Sequence, residues 1–358
     1  MKVALIHDSL QEFGGAERVL TELVNIFPKA QIFTSCYQKE VIKKYLPSLK
    51  KNQIHHSWYQ FFPYKTTTII QFLAPLIWRF KSINNFDLVI TSSGYYLSSL
   101  TTLKQKNAIH YIHSLPKNLF GLERESYWQK KLNLNYQKKL YLQSLKNSFG
   151  LITNSKNIQT IVKDKTGFNS AIIYPPVKIP TKKPKLGKRQ YFLIISRIDE
   201  TKKIEIAIKA CNYLNLPLKI AGTINNPDYL KKLKSIVGKK TKILGPVTEK
   251  EREKLYQNAL AFLFCSRNED FGIAPVEAMG YGLPVIAYFG GGVKETVKEG
   301  QNGLFFYQYN WQSLAKTIKK FDYRNFDSNK IYKNAQRFNQ ENFKKNLINY
   351  LKKKKISF

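Results

Sequence analysis

The chain has 358 residues, 43% of them hydrophobic and 14% aromatic, which excludes a disordered or low-complexity protein and leaves room for two ordinary domains. Cys36, Cys211 and Cys265 are scattered singly, which excludes a disulfide framework or a cysteine metal site and fits a reducing cytosol. The 59 Lys and Arg against 24 Asp and Glu leave a formal charge of +35, a balance that attracts nucleic acid, anionic lipid or phosphorylated ligands.

The charge is spread along the chain, with clusters at Lys182–Lys188 and Lys352–Lys355. Spread charge reads as a general surface property, and a compositional bias toward Lys, Asn, Ile and Tyr explains it equally well. The apolar part of MKVALIHDSL is too short for a signal peptide and lacks a small-residue cleavage site. The run Ile69–Trp78 is broken by Gln71 and Pro75 and falls far short of a membrane span. The expectation is a cytoplasmic protein, or one lying against the inner face of the cell membrane.

In chain order, Val3-Ala4-Leu5-Ile6 is an apolar run suited to a buried parallel strand. Phe13-Gly14-Gly15 then makes a turn. Glu17 to Phe27 follows with Val19, Leu20, Leu23, Val24 and Phe27 on one helical face. Further strand-like runs come at Gln31–Phe33, Leu88–Ile90, Ala108–Ile112, Leu151–Thr153 and Ala171–Ile173. Alternation with helical patterns predicts a parallel sheet covered on both faces.

Pro175, Pro176, Pro180, Pro184 and Gly187 then interrupt the pattern among basic residues, as a linker would. The alternation restarts with strands at Tyr191–Ser196, Leu218–Ala221, Lys242–Leu244, Ala261–Phe264 and Pro284–Ala287. Helices fall at Ile204–Leu214, up to Leu260, and around Pro275–Tyr281. Phe338, Phe343, Leu347 and Leu351 predict a terminal helix within Ile331–Lys355 that returns to the first domain. The expected organisation is an N-terminal domain over 1–177, a linker over 178–189 and a C-terminal domain over 190–337. The last helix, about 338–358, packs back on the first domain.

The most informative stretch is CSRNEDFGIAPVE, residues 265–277. A strand runs into a polar loop, a glycine and a helix with Pro275 near its first turn, where proline fits. Unpaired N–H groups at such a helix start, aided by the helix dipole, suit an anion such as a diphosphate. Glu269 in the loop and Glu277 in the helix can point into one cleft, although an acid in a first helical turn is favourable by about 0.3–1 kcal/mol in any case. Arg197 and Lys202 follow the second domain's first strand and could neutralise a departing phosphate; a solvated basic loop is the competing reading. Gly14-Gly15 before a helix lets backbone approach a ligand, and His113 follows a strand's carboxyl end. No D-x-D, P-loop, nucleophile elbow or zinc spacing is present, so no metal or other cofactor is expected.

These motifs resemble the retaining GT-B glycosyltransferases of family 4, closest to the bacterial mannosyltransferase-like branch that builds surface polysaccharide. VALIHDSLQEFGGAERVLTELVNIFP, FDLVITSS, ITNSKNIQTIV, IIYPPV, SRIDETKKIEIAIKA and the E-x7-E element of EDFGIAPVEAMGYGLPVIAYFGGGVKETV carry the likeness over almost the whole chain. It implies two Rossmann-like α/β domains with parallel sheets facing a cleft. Arg197 and Lys202 would hold the donor diphosphate, and Gly272, Ile273 and Ala274 would offer backbone N–H groups. Glu277 would bind ribose, Glu269 the donor sugar, and Val247 the base through backbone. His113 would sit beside the transferred sugar and Gly15 near the donor phosphates or acceptor. Ser114-Leu115-Pro116-Lys117 departs from the branch's Thr-Pro and arginine, which leaves the acceptor or sugar pocket open.

The reading is therefore a metal-independent retaining hexosyltransferase, with Glu269, His113, Arg197 and Lys202 at the reaction and a glycan or lipid-linked acceptor. The first donor expectation is GDP-mannose, followed by UDP-glucose or UDP-N-acetylglucosamine. An anionic membrane surface is the expected partner of the basic charge, with Ile69–Trp78 and the upstream Trp58, Tyr59, Phe61 and Phe62 as its apolar patch. A basic nucleic-acid binder is the distant rival, but no basic stripe with interleaved aromatics supports it. A degenerate or epimerase-like protein of the same fold is opposed by both glutamates, Arg197 and Lys202.

Overall fold

Short β-branched and aromatic runs between helical segments fold into two parallel α/β units. The computed structural model describes residues 1–62, 67–122 and 134–356. Unit one comprises Met1–Pro176 and Phe343–Phe358, and unit two comprises Val177–Asn342.

In unit one the strands are β1 (Val3–His7), β2 (Gln31–Thr34), β3 (Ile54–His56), β4 (Leu88–Ser93), β5 (Ala108–Ile112), β6 (Gly150–Thr153) and β7 (Ala171–Ile172). They pair in parallel in the order β3-β2-β1-β4-β5-β6-β7. The helices are α1 (Gly15–Ile26), α2 (Lys39–Tyr45), α3 (Thr67–Ile77), α4 (Asn135–Asn147) and α5 (Lys156–Thr166). Ser155 caps α5 by accepting from the Ile158 N–H, and Gly167 at φ +77 closes it, the usual asymmetry of helix ends.

Strand alternation divides the apolar residues between two faces. Leu5, Ile90, Ile109 and Tyr111 face one side with Val19, Leu20 and Leu23 of α1. Ala4, Ile6, Val89 and Ala108 face the other, with Ile70, Ala74 and Ile77 of α3 and Tyr141 and Leu145 of α4. Both faces are covered, as all-parallel sheets require.

Unit two repeats the design with β8 (Tyr191–Ile195), α6 (Ile204–Tyr213), β9 (Leu218–Ala221), α7 (Pro227–Lys234), β10 (Thr241–Gly245), α8 (Glu249–Gln257) and β11 (Ala259–Phe264). It continues with α9 (Ile273–Gly280), β12 (Val285–Tyr288), α10 (Val293–Thr296), β13 (Gly303–Phe306), α11 (Trp311–Lys320) and α12 (Ser328–Gln336). The sheet order is β10-β9-β8-β11-β12-β13.

Several expectations are revised. Strands β3 and β13 and, in unit two, helices α7, α10 and α11 are additional to the expected elements. The single terminal helix expected within 331–355 is two, α12 and α13 (Gln340–Lys353). The apolar stripe also divides: Phe338 packs edge-on against Phe271 in unit two, at 5.3 Å between ring centroids. Phe343, Leu347 and Leu351 join the core of unit one.

The stretch 178–189, expected as a linker, lies along unit two. Lys178 pairs with Glu249 at 2.9 Å, Lys183 bonds Ser328, and the Gly187 N–H reaches the Gln257 carbonyl at 2.9 Å. Proline denies this segment a helix or strand, but its polar groups still find partners.

Helix α3 contains the interrupted apolar run. Ile70, Ala74, Ile77 and Trp78 are buried, and so is Gln71, whose amide donates to the Tyr95 carbonyl. Phe61, Phe72 and Leu76 are exposed. Among the described residues no helix is long and apolar enough to cross a membrane. Cys36, Cys211 and Cys265 are free thiols and buried.

Candidate active site

In each sheet the chain leaves one central strand toward one edge and resumes on the other side. The reversals fall between β1 and β4 in unit one and between β8 and β11 in unit two. The carboxyl ends of such strand pairs are where open α/β sheets bind ligands.

In unit two, Arg197 and Lys202 lie on the loop after β8, and Glu269 on the loop after β11. The Lys202 ammonium touches the Glu269 carboxylate, joining the two sides of the reversal. Asp199 shapes the first loop. Its Oδ1 accepts from the Thr201 N–H, capping the 3-10 turn Glu200–Lys202, and its Oδ2 lies 3.6 Å from Arg197 Nε. One carboxylate thus caps the turn that carries Lys202 and lies beside Arg197.

The Glu269 loop is seated by the glycines after β12. The Gly292 N–H bonds the Glu269 carbonyl at 2.8 Å. A Cβ at Gly291 would collide with the Glu269 backbone, and one at Gly292 with the Asp270 carbonyl. Gly291 is also at φ +59, so this approach requires glycine.

Gly272, at φ +91, opens α9 and has no side chain to cap it. The partly exposed Ile273 and Ala274 follow, so the helix start presents backbone N–H groups as an anion site needs. Glu277 requires a correction: it is the fifth residue of α9, beyond the first turn in which it was expected. The dipole argument for its placement therefore falls away. It is buried and accepts from the Tyr256 hydroxyl at 3.3 Å, with Arg252 Nη1 at 3.8 Å. Burial opposes the Arg252 charge, but Glu277, Tyr256 and Glu249 outweigh it and raise the guanidinium's pKa. Val247 is half-buried between Gly245, which ends β10, and Thr248, which caps α8. It lines a cavity of about 510 Å³ with Pro246, Leu244, Tyr191 and Lys219.

In unit one, Gly15 is the first residue of α1, and the preceding Gly14 N–H donates to Glu17 at 2.7 Å. His113 directly follows β5, and its N–H bonds the Ser93 carbonyl at 2.9 Å. Its companions were not legible beforehand. Nε2 of His113 lies 2.7 Å from Ser92 Oγ, which lies 3.1 Å from His7 Nδ1, and His7 Nε2 lies 3.2 Å from Glu17 Oε1. Burial, then the neighbouring His7, pushes the pKa of His113 down to about 3, with Glu17 acting the other way. Burial works against the Glu17 charge, yet the hydrogen bond and charge of His7 keep its carboxyl below the usual value. Lys117, where the resemblance expects arginine, lies over the Tyr95 ring. Among the described residues no group of three or more His, Cys, Asp or Glu could hold a metal ion.

Residues 13–179 match the model of Glycosyltransferase Family 4, and residues 178–338 match that of Glycosyl transferases group 1. The chain belongs to the GT-B glycosyltransferases related to family 4. This glycosyltransferase is 31% identical over 171 residues to the uncharacterized glycosyltransferase MJ1607 of Methanocaldococcus jannaschii, covering 45% of this chain and 44% of that one. It is 25% identical over 359 residues to the alpha-1,3/1,6-mannosyltransferase alg2 of Schizosaccharomyces pombe, covering 85% and 70%. The matched region thus spans less than half of the archaeal relative's length.

Among solved structures, sucrose-phosphate synthase from Thermosynechococcus elongatus superposes with a TM-score of 0.79 at 17% identity, covering 99% of each chain. Anabaena Alr3699/HepE in complex with UDP gives 0.75 at 18%, covering 99% of this glycosyltransferase and 100% of that protein. At such identities the likeness establishes the GT-B fold.

Proposed function

We propose that the protein transfers a hexose from a nucleotide diphosphate sugar to a glycan or lipid-linked acceptor, with retention of configuration and without a bound metal. The Lys202–Glu269 contact across the strand reversal of unit two carries the reading most directly. It pairs a cation suited to a departing diphosphate with a carboxylate suited to sugar hydroxyls.

In this reading Arg197 and Lys202 take up charge as the sugar–phosphate bond breaks, and the N–H groups at Gly272, Ile273 and Ala274 add the helix-start field. Glu277 receives the ribose hydroxyls, Val247 meets the base through backbone, and Glu269 orients the sugar. His113 stands beside the reacting carbon, and Gly15 lets the backbone of α1 come close to the phosphates or the acceptor. Most of the rate gain comes from positioning and from stabilising the leaving group.

For the donor, UDP-glucose or UDP-N-acetylglucosamine moves ahead of GDP-mannose. The Anabaena structures were obtained with UDP and with UDP-glucose. GDP-mannose keeps the support of several ALG2 mannosyltransferases among the sequence relatives. The basic surface, with exposed Phe61, Phe72 and Leu76, suits an acceptor on an anionic membrane. Binding to vesicles containing anionic lipid should weaken as salt rises.

Thermal unfolding with UDP, GDP and their hexose conjugates, in metal-free buffer, tests the donor reading. A ligand at about 100 times its Kd stabilises the folded state by about 2.7 kcal/mol. The expected result is a raised midpoint with UDP-sugars, lost in R197A and E277A, together with radiolabelled hexose transfer to a lipid-linked acceptor. A shift with GDP-mannose alone would restore the mannose donor. No shift with any nucleotide at millimolar concentration would overturn the donor site.

A further inference from the structure

The parallel register of unit one aligns three polar residues at the strand reversal. His7 of β1 sits beside Ser92 of β4, and Ser93 beside Ile112 of β5, so His113 comes one step beyond the end of β5. Period-two alternation puts His7, Ser92 and His113 on the face that already carries Leu5, Ile90 and Tyr111. Helix α1 covers that face, and its third residue, Glu17, reaches His7.

A serine has one proton to donate, so the chain His7–Ser92–His113 has a direction. Contacts of 3.2 Å from His7 Nε2 to Glu17 and 3.1 Å from His7 Nδ1 to Ser92 are N–H···O lengths. The shorter 2.7 Å between Ser92 Oγ and His113 Nε2 fits a hydroxyl donating to a ring nitrogen. In that direction His7 Nδ1 donates to Ser92, and the carboxylate of Glu17 lies against His7 Nε2.

We propose that Glu17, His7 and Ser92 are positioning residues that hold His113 neutral, with Nε2 as acceptor and the proton on Nδ1. The free Nδ1–H is then a fixed donor for an oxygen of the transferred sugar or its departing phosphate. Catalytic contact belongs to His113, and the other three act through it. This assignment rests on the donor-site reading of His113 given above.

Long-range proton–nitrogen NMR of the full chain, labelled with nitrogen-15 histidine and without substrate, reads the tautomers directly. His113 should show a protonated Nδ1 and a bare Nε2, and His7 a protonated Nδ1. S92A should shift His113 to a mixture of tautomers and lower kcat tenfold or more, with KM for the donor little changed. S92T, which keeps the hydroxyl, should restore both. E17Q alters the partner of His7 Nε2 and should change the tautomer mixture of His113 through Ser92, which provides a second readout if S92A folds poorly. An Nε2–H tautomer of His113 in the unaltered protein, or one insensitive to S92A, would overturn the proposal. Correct tautomers with no transfer from any nucleotide sugar would leave the hydrogen-bond chain standing and refute the donor reading.

Discussion

Lys202 and Glu269 show how much of a site resides in single contacts. Each is a candidate from sequence, yet a lysine in a basic loop and a glutamate in a polar one are common and neither spacing pairs them. Their contact puts a cation and a carboxylate at one place, with side chains 16% and 25% exposed, where solvent screens them less than at an open surface. K202A and E269Q should each lower kcat/KM by about 10²–10³. The double variant should lose less than the product of the two, because contacting residues are not additive. Thermal midpoints without ligand should stay near that of the parent protein. Independent, multiplicative losses would show that the two side chains serve separate steps. Glu277 offers the contrasting lesson, since its place beyond the first turn of α9 makes Tyr256 and Arg252, rather than the helix dipole, its partners.

At the scale of the element, the glycines after β12 are as much part of the site as the charged residues. Gly291 and Gly300 both have positive φ, at +59° and +73°. They differ in surroundings: a Cβ at Gly291 strikes the Glu269 backbone, whereas one at Gly300 meets nothing within 4 Å. Alanine at either costs about 1–3 kcal/mol of backbone strain, but only G291A should displace the Glu269 loop. The expected outcome is a lowered thermal midpoint for both and loss of nucleotide-induced stabilisation for G291A alone. Retained stabilisation in G291A would mean that the loop tolerates a shift. Helix α1 works on the same principle, since Glu17 both caps its own helix and reaches the strand ends below it.

Across the whole molecule, stability should depend on buried histidines. His110 is fully buried, its Nε2–H donating to the Ser144 carbonyl and its Nδ1 accepting from Thr91. Burial pushes its pKa down to about 4 from 6.5, with the Ser144 bond opposing. Between those values the unfolded chain binds the extra proton and the folded one does not. Stability is therefore full above pH 6.5 and falls as pH drops toward 4, by about 1.4 kcal/mol per unit for this one group. His113, pushed down to about 3, adds to the same slope, and Glu17 contributes a further loss below its ordinary 4.5. Urea unfolding at pH 5, 6 and 7 should show this trend, and H110Q should flatten it. A slope unchanged in H110Q would mean that another group carries the dependence.

The two α/β units and most strand positions could be read from the sequence because they follow from local rules. Apolar runs of four to six residues with period-two or 3.6 spacing announce buried elements, and glycine and proline mark turns whatever surrounds them. The E-x7-E element, SRIDETKK and the Gly-rich turn identify the family by order and spacing. The contacts of residues far apart in the chain could not be read in this way. His7 and Ser92 are 85 positions apart and Lys202 and Glu269 are 67, and each pair meets only through parallel strand order and register. The division of the terminal stripe between Phe338 and Phe343 is of the same kind, because periodicity states which face is apolar and not which core receives it. Local backbone preference and solvent transfer determined the elements and the family; long-range register decided which charges and protons meet.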